Sequence, residues 1–196
     1  MERKKIQEER MKTYFIQAAK EMLKAEGIKS INVRSVSYRA GYSYATLYNY
    51  FKDLNDLIFL CVRDFQDECE RSILEKIKNI SDGKEKIHAI TKSYVEYLIE
   101  YPGIFELFFL EKMNNAGNKK EISELIYTFL DRICEKHWNV CKEKGIINSA
   151  QVEIKKKQLY FLIVGMLVFF ENRNQPSNYE EFISLLDSQL DNFFEW

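Results

Sequence analysis

Apolar side chains recur at three- and four-residue spacing along almost the whole chain, and strict alternation of apolar and polar residues is scarce. That periodicity stacks apolar groups on one face of a helix and cannot line one face of a strand. Only two prolines occur in 196 residues, and both fall between periodic segments: Pro102 after Glu100-Tyr101, and Pro176 within Asn174-Gln175-Pro176-Ser177-Asn178. A chain with so few helix breakers reads as all-α, with about nine helices.

The punctuation sets where those helices fall. A first helix is expected from about residue 5 to 26, with Met11, Phe15, Ala18, Ala19, Met22 and Leu23 on its inner side and Gly27 ending it. Asn32 can cap a short helix over 33–40, in which Val33, Val36 and Ala40 face inward, and Gly41 breaks it. Ser43 can cap a second short helix over 44–50. Asp53, with Asp56 three residues on, can cap a long helix over 54–79. Further helices are expected near 83–101, 103–114, 119–145, 150–172 and 178–194. The short helices belong to a compact N-terminal domain, residues 1–52, and the long ones to a second domain, 53–196.

Composition narrows the class. Charged residues are 30% and hydrophobic residues 46%, as in folded, water-soluble domains. The longest apolar run, Leu159 to Phe170, is shorter than the roughly 20 residues that span a bilayer. The start, MERKKIQEER, is charged and carries no secretory pattern, so the expected location is the cytoplasm, with no membrane partner. Cys61, Cys69, Cys134 and Cys141 form no dense framework and are expected reduced and buried. Residues 1–60 hold 11 Lys and Arg against 7 Asp and Glu, and the remainder 18 against 23. The basic end suits an anionic partner.

One stretch at that end is unusual. AGYSYATLYNYF, residues 40–51, carries four tyrosines and a phenylalanine around almost no charge. Two short helices joined at a glycine form a helix-turn-helix, whose second helix enters the major groove of DNA. Leu47 and Phe51 are spaced to pack inward. Tyrosines at nearly every position cannot all do the same. Outward hydroxyls of Ser43, Tyr44, Thr46 and Tyr48 can donate to phosphate oxygens, and Lys52 and Arg34 add charge. Tyr44, Ala45 and Asn49 are the candidate base readers, through thymine methyl contact and an amide hydrogen bond. Aromatics at helical spacing are otherwise commonest as core. Here the helices are too short to persist outside a compact module.

These residues resemble the TetR family of transcriptional regulators. The resemblance covers residues 16–58: Ile16-Gln17-Ala18-Ala19, Gly27, Asn32-Val33-Arg34-Ser35-Val36, Ala40-Gly41-Tyr42-Ser43, Thr46-Leu47-Tyr48-Asn49-Tyr50-Phe51 and Asp56-Leu57-Ile58. Tyr42 stands where the family usually has valine, Tyr44 where it often has lysine, Ser35 where an acidic residue is frequent, and Leu54 where a lysine is common. The resemblance implies that Arg34, Tyr42, Ser43, Tyr44, Ala45, Thr46, Tyr48, Asn49 and Lys52 bind a near-palindromic double-stranded operator. It implies a homodimer, built on the last two helices through Leu159, Leu162, Ile163, Met166, Phe170, Phe182, Leu185, Leu186, Leu190 and Phe193. It also implies a repressor released by a small-molecule effector. The aromatic content suggests an apolar or aromatic effector, with Tyr94, Tyr97, Leu98, Phe105, Phe108, Phe109, Cys134, Trp138, Phe161 and Phe169 as candidate lining, or else as plain core.

Other chemistries fit poorly. Cys134, His137 and Cys141 fall at i, i+3 and i+7 and share a helix face that could hold a soft metal, but a satisfied histidine between two small core residues is the commoner outcome. Glu85-Lys86-Ile87-His88 is one Glu-x-x-His, and a helical di-iron site needs two. No phosphate-binding loop, dinucleotide fingerprint or nucleophile elbow occurs, so neither an enzyme nor a cofactor is expected. The rival reading is a small-molecule-binding protein on the same scaffold that has lost operator binding and acts through a protein partner.

Overall fold

The computed structural model describes residues 2–110 and 119–195. Their regular structure is all helical, with no strand among them. The α-helices are α1 (Glu2–Glu26), α2 (Val33–Ala40), α3 (Tyr44–Tyr48), α4 (Leu54–Lys76), α5 (Lys84–Glu100), α6 (Pro102–Phe105), α7 (Lys119–Glu143), α8 (Ser149–Arg173) and α9 (Tyr179–Phe193). A 3₁₀ turn, Ile28–Ser30, follows α1, and α6 continues as a π-helical turn over Glu106–Leu110. The helix expected over 103–114 is therefore a short α-turn and a π-turn, and its last residues lie outside those described. α3 is also shorter than expected, so Asn49 and Tyr50 follow the helix rather than lie in it.

The caps explain the boundaries. Asn32 accepts the Ser35 N–H at 2.9 Å, and its own N–H donates to Ser35 Oγ at 3.1 Å, a reciprocal box at the start of α2. Gly41 ends α2 in the left-handed region at φ 79°, which an L side chain adopts only with strain. Asp53 Oδ1 accepts the N–H groups of Asn55 and Asp56, both at 2.9 Å, opening α4. Asn148 and Asn178 cap α8 and α9 in the same manner.

Two compact units result. The first comprises Met1–Asp67 and Tyr101–Tyr127, the second Glu68–Glu100 and Thr128–Trp196. In the first, Phe15, Ala19 and Leu23 of α1 are buried with Val36, Leu47, Phe51, Leu57 and Phe65. This core fixes α2 and α3 against α1. Lys20 is also buried there, its ammonium 3.2 Å from Asp64 and stacked over the Phe65 ring. α6 lies so close to α1 that a side chain at Gly103 would overlap the Leu23 carbonyl. In the second unit, Ile87, Ile90, Tyr94 and Leu98 of α5 are buried with Trp138 of α7, Ile163 of α8 and Phe182, Leu186 and Leu190 of α9.

Candidate functional site

The α2–α3 surface is built on one hydrophobic pin. Leu47 and Phe51 are buried, and Phe15 of α1 meets Phe51 edge-on with ring centroids 6.0 Å apart. With those residues inward, helical geometry turns Tyr44 and Tyr48, one turn apart, outward together. They are 60% and 54% exposed. Ser43 Oγ accepts the Thr46 N–H at 3.2 Å and lies 2.9 Å from Thr46 Oγ1, so these two hydroxyls cap α3 while remaining at its open end. Ala45 and Asn49 are exposed on the same short segment.

Charge is distributed selectively around it. Arg34 and Lys52 are exposed, and neither side chain has an ion-pair partner among the described residues. Arg39 is different: it approaches Glu21 at 3.6 Å and Glu26 at 4.0 Å. Two cations are thus left uncompensated beside a patch of hydroxyls, which is the chemistry of phosphate contact.

Two tyrosines fall outside the simple pattern. Tyr42 is tilted onto Phe15 at 5.6 Å and near Tyr14 at 6.2 Å, so its ring braces the turn against α1 as well as meeting solvent. Tyr38 is 88% exposed on α2 and was not among the sequence candidates. Its signal was present: it lies four residues after Arg34, on the same outer face.

The aromatic candidates for effector binding separate into three places. Tyr94, Tyr97, Leu98, Cys134 and Trp138 are buried in the second unit. There Tyr94 packs on Phe129 at 5.4 Å, and its hydroxyl is buried without a hydrogen-bond partner among the described residues. Burial foremost, then the neighbouring Cys69, Tyr160 and Tyr97, pushes this phenol well above its ordinary pKa. It therefore stays neutral, able to donate or accept. Phe105, Phe108 and Phe109 form a cluster in the first unit, with Phe109 5.4 Å from Phe105 and 6.1 Å from Phe108. Phe161 and Phe169 join neither group. They are 64% and 62% exposed on the outer side of α8.

The residues expected at a dimer interface also divide. Leu159, Ile163, Phe182, Leu186 and Leu190 are buried within the subunit's own core. Phe170 packs on Phe182 at 4.4 Å, and Phe193 lies under Lys155. Leu162, Met166 and Leu185, together with Phe161, Gly165 and Phe169, line an open apolar groove of about 670 Å³ along α8 and α9. Residues 159–170 of α8 are apolar nearly all round, so their periodicity does not say which side meets its own core.

The cysteine–histidine face of α7 is buried, but among the described residues no group of three or more His, Cys, Asp or Glu side chains is arranged to hold a metal. Burial raises the thiol pKa of all four cysteines, that of Cys61 to about 12, with Asp64 adding to it. Such thiols are poor nucleophiles at neutral pH. No helix among the described residues is long and apolar enough to cross a membrane.

Comparison with known proteins adds to this geometry. Residues 15–60 match the bacterial regulatory proteins of the tetR family. No curated protein matches the chain. Among solved structures, the chain is similar to the transcriptional regulator FadR from Bacillus subtilis in complex with stearoyl-CoA, with 20% identity, TM-score 0.75, and 93% of this chain and 97% of that one covered. It is similar to the fatty acid degradation regulator FadR from Bacillus halodurans, with 14% identity, TM-score 0.70, and 94% and 96% covered. It is equally similar to the superantigen PfiT, with 14% identity, TM-score 0.70, and 93% and 95% covered. At such identities the likeness is one of fold.

Proposed function

We propose, from the match of residues 15–60 to the tetR family of bacterial regulatory proteins, that the chain is a homodimeric repressor that leaves its operator when a small molecule binds. The observation that carries the reading is the exposed α2–α3 surface. Tyr44 and Tyr48 stand outward on a helix pinned from beneath, and Arg34 and Lys52 are uncompensated beside them. Residues 1–52 act as the reading head and 53–196 as the part that senses and dimerises.

Ser43, Thr46, Tyr48, Arg34 and Lys52 take the phosphates, with Tyr38 added to them. Tyr44, Ala45 and Asn49 read base edges. Tyr42 positions the turn. The exposed α8–α9 groove is covered by its own copy on a second subunit, because an apolar surface of this kind is costly in water. The two heads then read half-sites roughly 34–36 Å apart. The buried aromatic interior of the second unit, around Tyr94, takes an apolar effector. The fatty-acid regulators among the structural neighbours favour an acyl compound.

The test is fluorescence anisotropy of the purified chain with duplex from upstream of its own gene and with scrambled duplex, across a salt series. Selective nanomolar binding that weakens steeply with salt is the expected result. Equal weak binding to that duplex, to its scrambled form and to a genomic fragment library would instead favour a scaffold that acts through a protein partner.

A further inference from the structure

A second pocket, of about 350 Å³, lies wholly within the second unit between α4, α5 and α7. Its size is in the lower part of the small-molecule range, roughly 300–1,000 Å³. The buried Ile73, Ile77 and Ile90 form an apolar floor. Lys78, Lys86, Lys136 and His137 stand at its rim.

The rim is cationic in excess. Asp82 is the resident counter-charge: its carboxylate accepts from Lys136 Nζ at 2.8 Å and lies 3.5 Å from His137 Nδ1 and 3.9 Å from Lys86 Nζ. The other carboxylate at the rim, Glu70, faces Arg132 at 3.7 Å. Lys78 has no ion pair or hydrogen bond among the described residues. Asp82 therefore pairs with two of the three ammonium groups and leaves Lys78 without a counter-charge.

One buried polar atom in the lining of this pocket is left without a hydrogen bond. His137 is buried, and its Nδ1 makes no hydrogen bond among the described residues. A buried polar group without a partner is costly, and a ligand that supplies one recovers that cost.

We infer that this pocket binds a small amphipathic anion, with a carboxylate or phosphate head among Lys78, Lys86, Lys136 and His137 and an apolar body over the isoleucine floor. The head shares the ammonium groups with Asp82, and the floor gains the burial of an alkyl or aromatic body. Neither half of the pocket suits a neutral polar ligand. The inference deepens the effector part of the proposed function and rests on that reading only for the consequence, release of DNA.

The test is titration calorimetry of the full chain with octanoate, octyl phosphate, octanol and inorganic phosphate. One octanoate or octyl phosphate per chain is expected, with octanol and inorganic phosphate roughly tenfold weaker or worse. The better of the two anions identifies the head group. Lys78→Gln and Lys136→Gln, both at exposed positions, should each weaken the anions by roughly threefold and leave octanol unchanged. The chain has only two histidines, so imidazole NMR locates the ligand: His137 shifts on binding and His88 does not. Octanol binding as tightly as octanoate, anion affinity unchanged in both lysine variants, an unmoved His137 signal, or no binding by any probe would each overturn the inference. Adding the bound anion to the DNA anisotropy assay then separates the two claims. Binding without release leaves the pocket assigned and removes its effector role.

Discussion

At the scale of single residues, the proposed reading surface divides by what each side chain could exchange with DNA. On the proposed reading Tyr48 gives its hydroxyl to a phosphate, so Tyr48→Phe should weaken binding to every duplex by roughly 0.5–3 kcal/mol. Asn49→Ala should instead relax base preference, because an amide read against a base edge carries sequence information. Anisotropy on operator and single-base variants distinguishes these; parent-like behaviour of both variants would remove α3 as the reading helix. A second residue-scale prediction concerns acid. Burial lowers the His137 pKa, Asp82 opposes that, and Lys136 and Lys86 add to it. The unfolded chain therefore takes up this proton first. The stability due to neutral His137 is present above its unfolded value, about 6.5, and is lost as pH falls through the window down to its folded value. Asp82 acts at lower pH: the Lys136 hydrogen bond foremost holds its pKa down, so its contribution disappears as pH falls through that lowered value. His137→Gln should flatten the fall in urea midpoint between about pH 7 and 5. An unchanged slope would mean that His137 is not the group responsible.

At the scale of elements, α1 and α6 meet through a missing side chain. A Cβ at Gly103 would overlap the Leu23 carbonyl and lie 3.2 Å from Gly27 Cα, and neither is a flexible side-chain end that could yield. Gly103→Ala should cost about 1–3 kcal/mol in urea unfolding, the range for overpacking. Stability equal to the parent would show that α6 can move off α1 without loss. The short α2 and α3 depend on the same logic from the opposite direction. Each is near two turns or less, below what helix propensity sustains, and each persists because Val36, Leu47 and Phe51 are buried beside Phe15.

At the scale of the whole molecule, the apolar α8–α9 groove, with Phe161 and Phe169 64% and 62% exposed, is the surface that the proposed dimer would cover. Phe161→Glu combined with Phe169→Glu should shift sedimentation from dimer to monomer and reduce operator affinity, with helicity retained because both side chains are exposed. A dimer that survives the double substitution would place the two-fold contact elsewhere. The similarity to both a fatty-acid regulator and a superantigen shows that this fold carries more than one activity. The regulatory reading rests on the residues of α2 and α3 and on the match over 15–60.

The sequence by itself determined the all-helical class, the capping of α2, α3 and α4 by Asn32, Ser43 and Asp53, and the inward set Leu47 and Phe51. Each of these follows from interactions within a few residues, so local spacing encodes it. It did not determine which side of α8 meets its own core, because residues 159–170 of that helix are apolar nearly all round. Only the tertiary structure turned Leu159 and Ile163 inward and left Phe161 and Phe169 exposed, through packing against α9 and α5. It also drew Tyr42 onto Phe15, left Tyr38 in solvent, and put the Phe105, Phe108 and Phe109 cluster in a different compact unit from Tyr94. The pocket at His137 belongs to the same class. Its lysines, Asp82 and isoleucines come from three helices and a turn, and their convergence depends on long-range packing that no local spacing records.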